Sequence, residues 1–166
     1  FRRPEFSPDG SMVALPGGLT VKLGHSSDKP NTQFAVHLFN RKQLITNGPP
    51  SATFITPCSP SIAVRFHPCK FRDTNNNTFY VYAVTTATSF YVMRSDIFRP
   101  IAFGTEIHCT AIVDAAWSID GTLLGLCSTD GYITFVKFDV GELGGVPIVD
   151  TSTVASTAED TAAEIS

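Results

Sequence analysis

Long apolar runs are missing from these 166 residues. None approaches the roughly 20 residues that a membrane helix needs. Cysteine is sparse: Cys58, Cys69, Cys109 and Cys127 form no CxxC pair and match no zinc-module spacing, so they read as buried or half-buried free thiols of a reducing compartment. The histidines His25, His37, His67 and His108 are dispersed. There is no HExxH, no GxSxG, no glycine-rich phosphate loop and no EF-hand loop, which removes the usual signatures of zinc proteases, α/β-hydrolases, nucleotide and calcium sites. Helical apolar periodicity is absent too; the spacing is two, interrupted by Pro and Gly. Strong charge is lacking, with a formal net charge of −3. From Gly141 onward there are five acidic residues and no Lys or Arg, which leaves ten acidic against twelve basic residues before it, a formal +2. That excess is too small to predict a nucleic-acid-binding chain.

What the sequence does contain is a repeat. Three alternating runs end on an aromatic residue, Phe6, Phe66 and Trp117, and each is followed by turn residues. Ser7-Pro8-Asp9-Gly10 and Ser118-Ile119-Asp120-Gly121 fit type I β-turns: Ser accepts local hydrogen bonds and Gly closes the turn without steric cost. His67, before Pro68, reads as a turn residue of the second unit. Second strands follow at residues 11–15, 79–85 and 122–127, and third strands at 33–39, 89–93 and 132–138. Fourth strands are expected at 43–46 and 100–103, with none after Asp139. Asp130 and Gly131 form the expected turn of the last hairpin, as a type I′ turn in which both take positive φ.

The aromatic markers are 60 and 51 residues apart, against about 40 to 45 for a WD repeat. The excess is expected in polar inserts at residues 24–31 and 70–77. The fold class predicted is all-β: about three C-terminal blades (1–50, 51–105 and 106–140) of a longer, seven-bladed WD-repeat β-propeller occupying residues 1–148, since closure takes about four to eight blades. The Thr-, Ser-, Ala- and acid-rich residues 149–166 read as a disordered tail.

Trp117, the only tryptophan, is expected in the inter-blade core, and Asp114 and Asp120 as structural carboxylates. Arg2, Arg3, Arg41, Lys42, Arg94 and Arg99 surround predicted turns and are the candidate basic rim for an acidic partner segment. No catalytic, cofactor-binding or metal-ligating residue is expected. A propeller enzyme such as a glycosidase or lactonase would need convergent carboxylates or metal ligands along its channel strands, and too few are available here.

In order along the chain, Phe1-Arg2-Arg3-Pro4-Glu5-Phe6-Ser7-Pro8-Asp9-Gly10-Ser11, Asp114-Ala115-Ala116-Trp117-Ser118-Ile119-Asp120-Gly121, Ser128-Thr129-Asp130-Gly131-Tyr132 and Phe138 leading to Glu142-Leu143-Gly144 resemble the C-terminal half of the WD-repeat (B) subunit of chromatin assembly factor 1. HIR-type histone chaperones share the repeat style and are the nearest rival. The resemblance implies a noncatalytic nuclear scaffold in a three-subunit histone chaperone that deposits histones on DNA in replication and repair. It also implies the large subunit and histones as partners, no cofactor, no membrane, and no strong direct DNA binding. A short basic motif that docks a second histone chaperone, common in the family, has no counterpart between Gly141 and Ser166. The Trp-Asp dipeptide is also absent; Phe39-Asn40, Arg94-Ser95 and Phe138-Asp139 take its places.

Overall fold

Alternating apolar and polar positions between turn residues produce three antiparallel sheets. They are seen in a computed structural model that describes residues 2–22, 31–57, 59–97, 99–139 and 141–148. The first sheet runs β1 (Glu5–Phe6), β2 (Met12–Lys22), β3 (Asn31–Asn40), β4 (Ala52–Ile55), in that order. The second runs β5 (Ala63–Arg72), β6 (Thr78–Thr85), β7 (Ser89–Arg94), β8 (Pro100–Thr105). The third has β9 (Ile112–Trp117), β10 (Leu123–Ser128) and β11 (Ile133–Lys137). Arg3 bridges Ala63 in parallel and β5 packs on β9, so the first strands of the three sheets lie side by side. Three consecutive meanders joined at their first strands are blades of a WD-repeat β-propeller.

Period two explains the core. On β6, Phe79, Val81 and Ala83 face the third blade, where Ala115, Leu124, Leu126, Phe138 and Leu143 complete one cluster. Tyr80, Tyr82 and Val84 face the first blade and meet Ala14, Val36 and Leu38 in the other. Alternate residues of a strand point to opposite faces, so a strand covered on both sides is apolar throughout, and seven of the eight β6 residues are buried. On β11, by contrast, Ile133 and Phe135 are 61% and 67% exposed.

Several expectations change. Residues 43–46 are not a strand: α1 (Arg41–Thr46) begins there. The Asn40 side chain accepts the Gln43 N–H and the Gln43 side chain accepts the Asn40 N–H, both at 2.9 Å, a capping box that starts a helix. The helix displaces the fourth strand to β4, which lies past the expected blade boundary at residue 50. Residues 70–72 are strand rather than insert. The second unit lacks the Asp-Gly pair, so β5 continues through a register shift after Phe66 and turns only at Asp73, whose carboxylate accepts the Asn75 and Asn77 N–H groups. Among the described residues β11 has no fourth-strand partner; β12 (Val146–Ile148) instead pairs with β5 at Lys70–Arg72. The other expected insert falls mostly on residues 24–30, outside the described residues, as does the predicted tail at 149–166.

Candidate partner-binding site

The turns between first and second strands join the blades. In the first blade the Ser7 hydroxyl donates to Asp9 (2.9 Å), the Ser11 N–H donates to Asp9 (3.0 Å) and the Met12 N–H donates to Ser7 Oγ (2.9 Å). The third blade repeats this net: Ser118 donates to Asp120 (2.5 Å), the Thr122 N–H to Asp120 (3.1 Å) and the Leu123 N–H to Ser118 Oγ (2.9 Å). Gly10 and Gly121 close the turns at φ 65° and 73°.

Both turns clamp the middle blade. Asp9 accepts the Tyr80 hydroxyl at 2.5 Å and pairs with Lys70 at 3.3 Å. Partial burial alone would raise the Asp9 pKa, but hydrogen bonds from Tyr80, Ser11 and Ser7 outweigh it and hold the carboxyl well below its usual range. On the other side His67 is buried between the rings of Phe71 and Trp117, with centroids 4.7 and 5.0 Å away. Its Nδ1 accepts the Cys69 N–H (3.0 Å), which leaves Nε2 to donate to the Gly121 carbonyl (3.1 Å). Burial pushes the His67 pKa down, in keeping with this neutral tautomer. His67 is therefore an inter-blade plug within β5, not the turn residue expected.

The first strands are tied by charge. Asp114 accepts from Arg65 (2.7 Å) and from Arg3, and the Trp117 indole N–H donates to the Arg65 carbonyl (3.0 Å). Glu5 accepts the Phe66 N–H, and its pKa is raised by burial. Asp114 and Asp120 thus have separate structural partners. Asp130 lies in the β10–β11 turn and accepts the Tyr132 N–H (3.0 Å), the Cys109 N–H (3.1 Å) and His108 Nδ1 (3.2 Å). The Tyr132 N–H contributes most to holding its carboxyl below the usual range. The turn is not type I′: Gly131 has φ 86° but Asp130 keeps negative φ, and the Gly131 N–H donates to the Ser128 carbonyl (3.2 Å). This is a type I turn followed by glycine, the other common hairpin geometry. Cys69 and Cys127 are half-buried thiols, whereas Cys109 is exposed, contrary to expectation; Cys58 lies outside the described residues.

The six candidate basic residues do not share one rim. Arg2 and Arg3 precede β1, whereas Arg41 and Lys42 follow β3, and Arg94 and Arg99 flank the β7–β8 connection. Antiparallel order puts the first pair at the opposite end of the strands from the other four. Arg3 is engaged by Asp114, and Arg2 lies over Gly17, where an added Cβ would sit 2.6 Å from its Nε. Arg94 pairs with Asp96 (2.6 Å), donates to the Gly144 carbonyl (3.0 Å) and covers the Phe79 ring 3.6 Å from its centroid. Arg41, Lys42 and Arg99 are exposed. Beside the first two, α1 exposes Leu44 and Ile45, which charge alone does not reveal. The spacing of two apolar residues just after two basic ones was the available signal.

A second candidate surface is a cleft of about 180 Å³ between β5, the β9–β10 turn, Phe138, Asp139 and residues 141–147. His67, Cys69, Phe71, Gly121, Phe138 and Leu143 form its walls, and Asp120 and Asp139 its acidic side. Among the described residues no group of three His, Cys, Asp or Glu side chains is placed to hold a metal ion.

No family model matches the chain. The chain is 34% identical over 87% of its length to the chromatin assembly factor 1 subunit FAS2 homolog of Oryza sativa subsp. japonica, covering 28% of that protein. It is 32% identical over 98% of its length to the B subunit of chromatin assembly factor 1 of Mus musculus, covering 30% of that protein. Protein hir1 of Schizosaccharomyces pombe is 28% identical over 87% of the chain and is covered to 14%. The resemblance to the B subunit of chromatin assembly factor 1 therefore extends over most of the chain, with the HIR type as the weaker match. The chain spans less than a third of the curated chromatin assembly factor relatives it matches.

Proposed function

We propose that the chain is part of a noncatalytic WD-repeat scaffold in a nuclear histone chaperone that deposits histones on DNA in replication- and repair-coupled nucleosome assembly. The observation that carries this reading is the similarity to chromatin assembly factor 1 proteins over 87–98% of the chain, joined to a propeller-blade fold. The partners proposed are the large subunit of the complex and histones, bound directly or through that subunit. A second histone chaperone would dock through a motif outside this sequence. No cofactor, membrane or strong direct DNA contact is part of this reading.

The polar joints support a scaffold role, since they fix the blades relative to each other and leave the loop ends to partners. For an acidic segment of the large subunit the proposed contact is α1: Arg41 and Lys42 steer, and the adjacent exposed Leu44 and Ile45 supply apolar area. The test is affinity purification of the full-length protein. Recovery of chromatin assembly subunits and histones is the expected result; recovery of a HIR-type complex instead would move the protein to that rival, and recovery of neither would refute both readings. Arg41→Glu with Lys42→Glu should slow association with the large subunit and flatten its salt dependence while leaving the melting temperature unchanged.

A further inference from the structure

We propose that the cleft beside His67 is a docking pocket for one Leu- or Met-sized side chain carried on a Lys- or Arg-rich segment of a protein partner. It deepens, and rests on, the reading of the chain as a scaffold for basic proteins.

Size and lining set the first half of the proposal. The cleft holds about 180 Å³, and its walls are mostly ring, aliphatic and thiol surface: Phe71, Phe138, Leu143 and Cys69. Apolar cavities of about 150 Å³ accept a benzene-sized group, so one medium side chain fits and a helix face does not. The walls are rigid. Gly121 is buried, Phe71, Phe138 and Leu143 belong to the inter-blade cluster, and His67 is hydrogen-bonded at both ring nitrogens. A partner side chain therefore meets a formed pocket and no wall has to be ordered.

Charge sets the second half. Asp120 and Asp139 line the cleft and no Lys or Arg does. Glu142 adds to the acidic side, because its carboxylate accepts the Asp139 N–H at 2.7 Å. The Ser118 hydroxyl and the Thr122 N–H and hydroxyl hold the Asp120 carboxyl below its usual range, so it is ionised at neutral pH. Lys137 reaches Asp139 at 3.4 Å and offsets one of these three negative charges, which leaves this side of the cleft net acidic. The chain's own residues 149–166 are unsuited as occupant: they carry Asp150, Glu159, Asp160 and Glu164 and no Lys or Arg.

The test uses the full-length protein and three fluorescein-labelled peptides of about 11 residues: Lys-rich with a central Leu, Lys-rich with a central Gly, and Glu-rich with a central Leu. Transfer of one leucine side chain from water makes the first bind on the order of tenfold or more tighter than the second by anisotropy. Asp139→Lys should weaken the first several-fold. Cys69→Phe, which fills the cleft, should abolish the Leu–Gly difference. If that variant fails to fold, protection of wild-type Cys69 from N-ethylmaleimide, read by mass spectrometry with exposed Cys109 as control, carries the same information. Equal binding of the two Lys-rich peptides, tighter binding of the Glu-rich one, or an unchanged Cys69 labelling rate at saturating peptide would overturn the proposal. Histones retained by a folded Cys69→Phe protein at wild-type levels would remove the cleft as their site and leave the scaffold reading standing; a wild-type protein that recovers neither chaperone subunits nor histones would refute the scaffold reading whatever the cleft binds.

Discussion

Gly121 and Gly131 are chemically identical, both have positive φ, and they differ in what lies beside them. At Gly131 an added Cβ would meet nothing within 4 Å. At Gly121 it would sit 2.1 Å from His67 Nε2 and 2.3 Å from Cε1, against a ring packed in edge-type contacts with Phe71 and Trp117. Gly131→Ala therefore incurs only the left-handed backbone penalty, about 1–2 kcal/mol. Gly121→Ala incurs that penalty and also displaces a packed ring, which adds about 1–3 kcal/mol and breaks the bond from Nε2 to the Gly121 carbonyl. Its total is about 2–5 kcal/mol. Urea unfolding of the full-length protein measures both, with the m-value checking that the compactness of the two end states is unchanged. The difference between the two variants isolates the inter-blade contact from backbone strain. Equal destabilisation would refute the packing of this turn against His67. So would a Gly121→Ala variant that loses no more than about 1 kcal/mol, the least expected of the backbone term alone.

Acid should weaken the fold in two stages. Burial depresses the His67 pKa, so its contribution is complete above the unfolded value of about 6.5 and is lost as the pH falls from there through the lowered folded value. Asp9, Asp120 and Asp130, also depressed, keep their contributions above about pH 4 and lose them as the pH falls further. Unfolding free energies measured from about pH 8 to pH 3 should show both stages, and a flat profile between about pH 7 and 5 would contradict the buried neutral His67. Asp114→Ala removes the acceptor shared by Arg3 and Arg65 and should cost about 1.5–3 kcal/mol, as for hydrogen bonds to charged groups; a loss under about 0.5 kcal/mol would place it among ordinary surface substitutions. Asp130→Ala should free the loop that carries His108 and Cys109, seen as faster amide exchange at Cys109 and Tyr132, with β6 unaffected.

The repeat is legible because Ser-x-Asp-Gly specifies its own hydrogen bonds, and the two copies build the same net. Where that signature is missing, the sequence misleads. His67-Pro68 looks like a turn, but without Asp-Gly the strand runs on to Arg72, and the plug role of His67 depends on Gly121, 54 residues away. Leu44-Ile45-Thr46 has the composition of a strand, although the capping box at Asn40 and Gln43, which decides for helix, stands just before it. Asp-Gly at 130–131 is compatible with either hairpin geometry; the carboxylate contacts to Cys109 and His108 accompany the type I form and come from a distant loop. The basic residues group together by type, yet strand parity alone separates them: Arg3 lies before a first strand and Arg41 after a third, hence at opposite ends. The acid-sided cleft has no local signal, being assembled from β5, a turn and the returning segment.

Strand direction also assigns roles to the two ends of the sheets. At the end that carries Arg3 and the loop before β9, three polar groups are engaged internally: Arg3 on Asp114, and His108 and the Cys109 N–H on Asp130. At the other end lie both proposed contacts, the basic α1 on the first blade and the acidic cleft beside the third. The middle blade separates them and is clamped from both sides, so the two surfaces are held apart on one rigid face and share no side chain. One face could then hold an acidic segment and a basic segment together without either neutralising the other. Contacts without shared partners are additive to within about 0.3–0.5 kcal/mol. Reversal of Arg41 and Lys42 should therefore leave binding of the Lys-rich peptide unchanged, and Asp139→Lys should leave association with the acidic partner unchanged. Cross-effects larger than about twofold would mean that the two sites communicate or overlap, and the separation of surfaces by the middle blade would be wrong.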